Sequence, residues 1–177
     1  MTLTPPATLT TPRLLLRPPA LSDAEGVFAY AHDLEVTRYL TWQPHQSIAD
    51  TETFLQRCLQ VWQEGSAFPW VIIRKSDHTL LGMIDATPDD FQVMLGFRLA
   101  QPYWNQGYTS EAVRVVVDWY MAQPGIYRVW AYCDTENLAS ARVLEKAGMQ
   151  REGVLRRYER FNISPEPRDC FCYALVK

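Results

Sequence analysis

Several things are scarce in this 177-residue chain, and each scarcity excludes a class of function. No apolar run, Val71–Ile73 and Val115–Val117 among them, approaches the roughly 18 residues that cross a bilayer, so no membrane partner is expected. Positive charge is short, with 17 Lys and Arg against 20 Asp and Glu, a net charge of −3 that gives a nucleic-acid backbone no basic field. The four cysteines (Cys58, Cys133, Cys170, Cys172) form no CxxC pair, and the three histidines (His32, His45, His78) stand singly without HExxH spacing. A metal site is therefore not expected, and the cysteines are read as small core residues. The opening MTLTPPATLTTPRL has neither an early cation nor an apolar stretch of about 7 to 15 residues, so the expectation is a cytoplasmic protein without a secretory leader.

What is present fits one folded unit. Apolar residues make up 47% of the chain and aromatics 12%, enough to fill a core at a length that corresponds to one domain. Residues 1–12, rich in Thr and Pro, read as a loose lead-in, and 13–177 as a single domain. Arg13–Arg17 predicts a short strand, and Ser22-x-x-Glu25 a capping box opening a helix. A second box, Ser47-x-x-Asp50, opens a helix whose apolar stripe stops at Gly65. Phe68–Arg74, Leu80–Thr87 and Gln92–Leu99 read as a meander with short turns. A helix after Gly107 carries Ala112, Val113, Val116, Val117 and Tyr120 on one face, and Arg128–Cys133 is the next strand. Asn137 caps a helix that closes at Gly148, before strands near Met149–Leu155 and Cys170–Val176. A meander followed by βαβ order predicts an α+β fold, a mixed sheet of about seven strands with helices on both faces.

The segment Gln101–Ala112 (QPYWNQGYTSEA) is the informative one. A strand enters, one glycine permits a sharp turn, and a helix leaves with free N–H groups and the positive end of its dipole at the turn, which suits a pyrophosphate. The GxxxxGK[ST] loop is absent, which speaks against ATP.

YWNQGYTSEA resembles the acyl-CoA pyrophosphate loop of the GNAT acetyltransferases, and most of all their RimJ/RimL-like, ribosomal-protein N-acetyltransferase branch. DTENLASARVLEKAGMQREGVLRR (134–157) and TPRLLLRP (11–18) are similar to that branch's later helix with its following strand, and to its first strand. The resemblance covers nearly the whole chain and implies the GNAT fold, with acetyl-CoA as cosubstrate, no metal, and a primary amine as acceptor partner; a homodimer is left open. In the loop pattern Trp104 takes the first slot, Gly107 the glycine slot and Thr109 the last. Asn105 stands where glycine is usual, as one of the side chains that most readily enter left-handed backbone. The N–H groups of Gln106, Gly107, Tyr108 and Thr109 would hold the pyrophosphate. The backbone of Phe97 and Leu99 would pair with pantetheine, and Asn137 would reach its arm.

Acetyl transfer needs a neutral amine, a polarised thioester carbonyl and a tolerated thiolate. Leu144 stands where many relatives carry a tyrosine acid, and Ser140 where this branch has a serine suggested for that role. Met94 replaces the glutamate that related proteins use as a base, so Asp85 and then Glu111 are the catalytic carboxylates to consider. Tyr39, Trp42 and Phe91 could line an acceptor pocket. The alternative reading is a non-catalytic acyl-CoA sensor of the same fold.

Overall fold

The computed structural model describes residues 4–177. Its centre is an eight-stranded sheet in the order β1-β2-β3-β4-β5-β6-β8-β7: β1 Leu9–Thr10, β2 Leu14–Arg17, β3 Phe68–Arg74, β4 Leu80–Asp89, β5 Gln92–Leu99, β6 Arg128–Asp134, β7 Gln150–Glu159 and β8 Arg168–Val176. Every neighbouring pair is antiparallel except β5 and β6. The helices are α1 Ala24–Ala31, α2 Leu34–Thr37, α3 Ile48–Glu64, α4 Tyr108–Met121 and α5 Leu138–Lys146.

Alternation along the strands divides the core. Ile84, Val93, Leu95 and Leu99 pack with the stripe Ala112, Val113, Val116, Val117 and Tyr120 of α4 and with Leu144 of α5. On the opposite face Val71, Ile73 and Met83 pack with Val27 and Tyr30 of α1 and Leu55 and Cys58 of α3. Four fully buried valine and leucine side chains on α4 and α5 alone, Val113, Val116, Val117 and Leu144, each contribute about 1.5–3 kcal/mol. The mixed α+β sheet with helices on both faces is the expected class, with eight strands rather than about seven. The additional one, β1, falls inside the expected lead-in, where Thr10 pairs with Leu15.

Local signals held where a side chain had one use. Ser47 caps α3 and Asp50 closes the box; Gly65 ends the helix at φ +71°; Asn137 caps α5. The Ser22 box does not form. Arg17 draws in the Asp23 carboxylate at 2.7 Å, and that carboxylate then accepts the Ala20 N–H at 2.8 Å, so Leu21–Asp23 becomes a 3-10 turn and α1 starts at Ala24. The four-residue α2, capped by Asp33, is too short to leave an apolar period. At the other end β8 begins at Arg168, two residues early, because Arg168 reaches the fully buried Asp134 carboxylate.

Candidate active site

The site follows from one feature of the sheet. β5 and β6 pair only through Gln92–Arg128, Val93–Val129 and Met94–Trp130; beyond these, β5 stays with β4 and β6 with β8, and the two strands part. The Phe91 carbonyl accepts the Tyr127 N–H at 2.9 Å and the Leu99 carbonyl accepts Trp104 Nε1–H at 2.7 Å. Odd-numbered residues of β5 therefore turn their backbone away from β4, and strand alternation gives Leu95 and Phe97 the same direction, into the gap. The gap opens into a cavity of about 840 Å³ bounded by β5, β6, α3, α5, the segment after α2 and the loop before α4.

That loop runs from a 3-10 turn at Gln101–Tyr103 through two left-handed residues, Asn105 at φ +61° and Gly107 at φ +79°. Asparagine tolerates this conformation and glycine is at ease in it. α4 makes its first main-chain bond from Glu111 N to Gly107 O, so the N–H groups of Tyr108, Thr109 and Ser110 have no acceptor within the helix. The loop is tied down from behind. Arg13 Nη1 donates to the Gln106 carbonyl at 3.0 Å, its guanidinium lies 4.4 Å over the Tyr108 ring, and its Nε donates to Glu111 at 2.6 Å. Glu111 also accepts from the Arg13 N–H and from Thr11. Partial burial pushes the Glu111 carboxyl up, but these hydrogen bonds and the Arg13 charge outweigh it and hold the group below its ordinary value.

The structure brings most of the expected residues to this cavity: Asp85, Met94, Phe97, Leu99, Trp104, Asn105, Gly107, Thr109, Asn137 and Ser140 line it, as do Tyr39 and Trp42. Three do not. The Gln106 side chain folds back onto the Pro102 carbonyl, Tyr108 is buried beneath Arg13, and Glu111 points to β1 and β2, which makes it a fastener of the loop rather than a carboxylate at the gap. Phe91 also lies elsewhere, in the turn at the paired end of β5, where the strands have not yet separated.

Asp85 sits on the α3 face of β4, directly opposite Gly96, and pairs with Arg98. A Cβ at position 96 would lie 2.7 Å from Asp85 Oδ2, so the missing side chain makes room for the carboxylate. Arg98 is 9% exposed; burial works against its charge, yet Asp85 holds it firmly cationic. Its Nε and the Tyr30 hydroxyl, whose titration burial pushes up to about 12, have no hydrogen-bond partner among the described residues. The Asn137 carboxamide oxygen accepts the Ser140 N–H at 3.2 Å, while the Ser140 hydroxyl is engaged by none of the described residues. Sequence reasoning missed Arg98. The signal was there, since period two puts a lone cation at 98 on the same face as Met94 and Gly96, across from Asp85.

Comparison with known proteins agrees with this geometry. A family model described as an acetyltransferase (GNAT) domain matches residues 13–150. An uncharacterized N-acetyltransferase, YoaA of Bacillus subtilis, is 34% identical over 172 residues, 96% of each chain. A GNAT-family acetyltransferase from Bacillus anthracis superposes with a TM-score of 0.84 at 26% identity, over 96% of this chain and 98% of that one. RimL, a ribosomal L7/L12 α-N-protein acetyltransferase solved with coenzyme A, does so with a TM-score of 0.83 at 20% identity, over 95% and 96%. With a family model across most of its length and a full-length relative at this identity, the chain belongs to the GNAT acetyltransferase family.

Proposed function

We propose that the protein moves the acetyl group of acetyl-CoA directly to a primary amine, a peptide α-amine or a small-molecule amine, with both substrates bound together. The observation that carries this reading is the opening between β5 and β6 with the N-terminus of α4 at its mouth. Free N–H groups of Tyr108, Thr109 and Ser110 suit the pyrophosphate, and the unpaired edge of β5 at Leu95 and Phe97 suits the amides of pantetheine. RimL was solved with coenzyme A and is an α-N-protein acetyltransferase of ribosomal L7/L12, which supports both halves of the proposal.

Direct attack is favoured over an acyl-cysteine intermediate. Burial pushes the Cys58 thiol up to about 11 and those of Cys133 and Cys170 to about 12, so none of these is a thiolate near neutrality. Cys58 and Cys133 are the cysteines that line the cavity. In the proposed step the amine lone pair attacks the thioester carbonyl, the C–S bond breaks, and the Ser140 hydroxyl meets the departing sulfur. Met94 offers no proton acceptor, and the Asp85 carboxylate is engaged with Arg98. The amine's own ionisation therefore supplies the reactive form: an α-amine of pKa about 7.7–8.0 is roughly 10% neutral at pH 7, and a lysine-like amine of pKa about 10.4 well under 0.1%. Asp85 orients the incoming ammonium, which sheds its proton to water before attack; the second nitrogen proton, lost as the amide forms, passes through water to Ser140, which has given its own to the sulfur. Four buried cysteines, none in a disulfide among the described residues, suit a reducing cytoplasmic setting.

The test is thiol release from acetyl-CoA with a panel of peptide and small-molecule amines. Amine-dependent release with stoichiometric N-acetyl product is expected. CoA binding without turnover of any member would contradict transfer and leave an acyl-CoA sensor.

A further inference from the structure

The acceptor end of the cavity carries an uncompensated cation, which bears on the class of amine the enzyme takes. The cavity wall contains three carboxylates, and each is already in an ion pair: Glu35 with Arg38 at 3.8 Å, Asp85 with Arg98, and Glu136 with Arg168 at 2.9 Å. It contains five cations, Arg38, Arg57, Arg98, Arg142 and Lys146, of which Arg57, Arg142 and Lys146 are in no ion pair among the described residues. The surplus runs against the chain as a whole, whose net charge is −3.

Arg142 and Lys146 lie one turn apart on α5, whose last carbonyl is held to α4 by Arg114, so they flank the end of the cavity where the phosphates of CoA would lie. Arg57 is on the other side of the sheet. It belongs to the stripe Phe54, Arg57, Cys58, Val61 that α3 turns to the cavity at helical spacing, and Phe54 covers the buried Arg98 guanidinium at 5.5 Å. No charge of the cofactor is expected there, because the loop and α5 lie against the opposite face.

The wall facing α3 is fixed. Asn162, between β7 and β8, donates from Nδ2 to the carbonyls of Thr37 at 2.9 Å and Trp42 at 2.7 Å, and accepts from Gln43 at 2.8 Å. The backbone N–H groups of Asn162 and Ile163 donate to the Leu40 and Arg38 carbonyls at 3.1 and 3.0 Å. Five hydrogen bonds thus set the position of Tyr39 and Trp42, and Trp42 stacks on Phe54 at 6.1 Å. An exposed guanidinium that lines the same cavity as Trp42 and Phe54, on a preorganised wall, matches a carboxylate attached to an apolar body, since its fork of donors fits a carboxylate bidentately.

We propose that Arg57 is a specificity residue that pairs with a carboxylate of the acceptor, so that the enzyme prefers acidic amines such as peptides with Asp or Glu just after a free N-terminus. This rests on the transferase reading above, and the experiment separates the two. Phenylalanyl-glutamate amide is compared with phenylalanyl-glutamine amide, whose α-amines ionise alike and whose side chains differ in charge. Two readouts are taken: kcat/KM with saturating acetyl-CoA, and the rise in Tm of CoA-saturated protein. The expected result is an acid preference of about tenfold or more in kcat/KM and a larger Tm rise with the acidic peptide. Arg57→Gln should bring the ratio below about twofold, and Arg57→Lys should keep part of it, because a point charge remains without the fork. Equal handling of the two peptides by the unaltered protein, or a preference that survives in folded Arg57→Gln, overturns the proposal. If neither peptide is acetylated, the Tm comparison still decides on Arg57, while the missing turnover counts against transfer to such amines.

Discussion

Replacing Gly107 measures how much the anion-binding turn depends on one backbone conformation. The residue holds φ at +79°, and the space around it is open, with only Arg13 Nη2 at 3.4 Å from a built Cβ. Gly107→Ala is therefore a test of conformation, not of crowding. An L-residue in this region costs about 1–2 kcal/mol. If the chain keeps the turn, that cost falls on stability, and for a protein of this length it lowers Tm by roughly 2–8 °C. If the chain leaves the turn, the N–H groups of α4 are no longer presented, and the cost falls on binding as a 5- to 30-fold weaker affinity, at about 1.4 kcal/mol per factor of ten. Gly107→Pro fixes φ near −65° and removes the N–H, so it cannot keep the turn at all, and CoA affinity should be lost. Calorimetric titration with CoA and a thermal melt on the same samples read both terms. Affinity within twofold of the parent in both folded variants, with unchanged Tm, would refute the assignment of this loop to the pyrophosphate.

Other expectations follow from the same geometry. Ser140→Ala should lower kcat by about 10² with little change in the KM for acetyl-CoA, since protonation of the leaving sulfur acts in the transition state; a loss under twofold returns Ser140 to the first turn of α5 as a bystander. Gly96→Ala should displace the Asp85 carboxylate, because 2.7 Å from Cβ to oxygen is too close, and kinetics on this variant beside Asp85→Asn should show the same fall in acceptor kcat/KM if Asp85 orients the amine. Glu111 is held below its ordinary value when folded, so its tether contributes fully above the unfolded carboxyl range of about 4.3 and is lost as pH falls below it; Glu111→Gln should weaken CoA binding at pH 7 and flatten the acid loss seen in a titration series. With Met94 in place of a carboxylate, kcat/KM for an α-amine should rise with pH and level near 8, and for a lysine-like amine keep rising toward 10; a plateau at 6 to 7 for both would point to a base within the protein.

Periodicity and caps made most of the fold legible. Gln92–Leu99 and the stripe of α4 could be read because one face of each is more buried than the other, and Phe68–Arg74 because it is a short apolar run buried on both faces. Asn105 and Gly107 were readable because few residue types accept a positive φ. What stayed hidden was decided between distant segments. Asp23 reads as part of a helix start until Arg17 is folded against it, Glu111 reads as an acid beside a loop until Arg13 and Thr11 claim it, and Asn162 belongs to no sequence pattern until the Thr37–Gln43 segment lies beside it. The splay itself leaves no local trace, because it arises from β6 pairing with β8, some forty residues further along the chain.

The most direct measurement of the central claim is amide hydrogen exchange with and without CoA. If the gap between β5 and β6 is the acyl-CoA site, CoA should slow exchange at Gly107, Tyr108, Thr109 and Ser110 and at Leu95 and Phe97 by tenfold or more, while Arg57 and its neighbours on α3 stay unchanged. CoA binding that leaves these amides exchanging as before, or that protects α3 instead, would contradict the account.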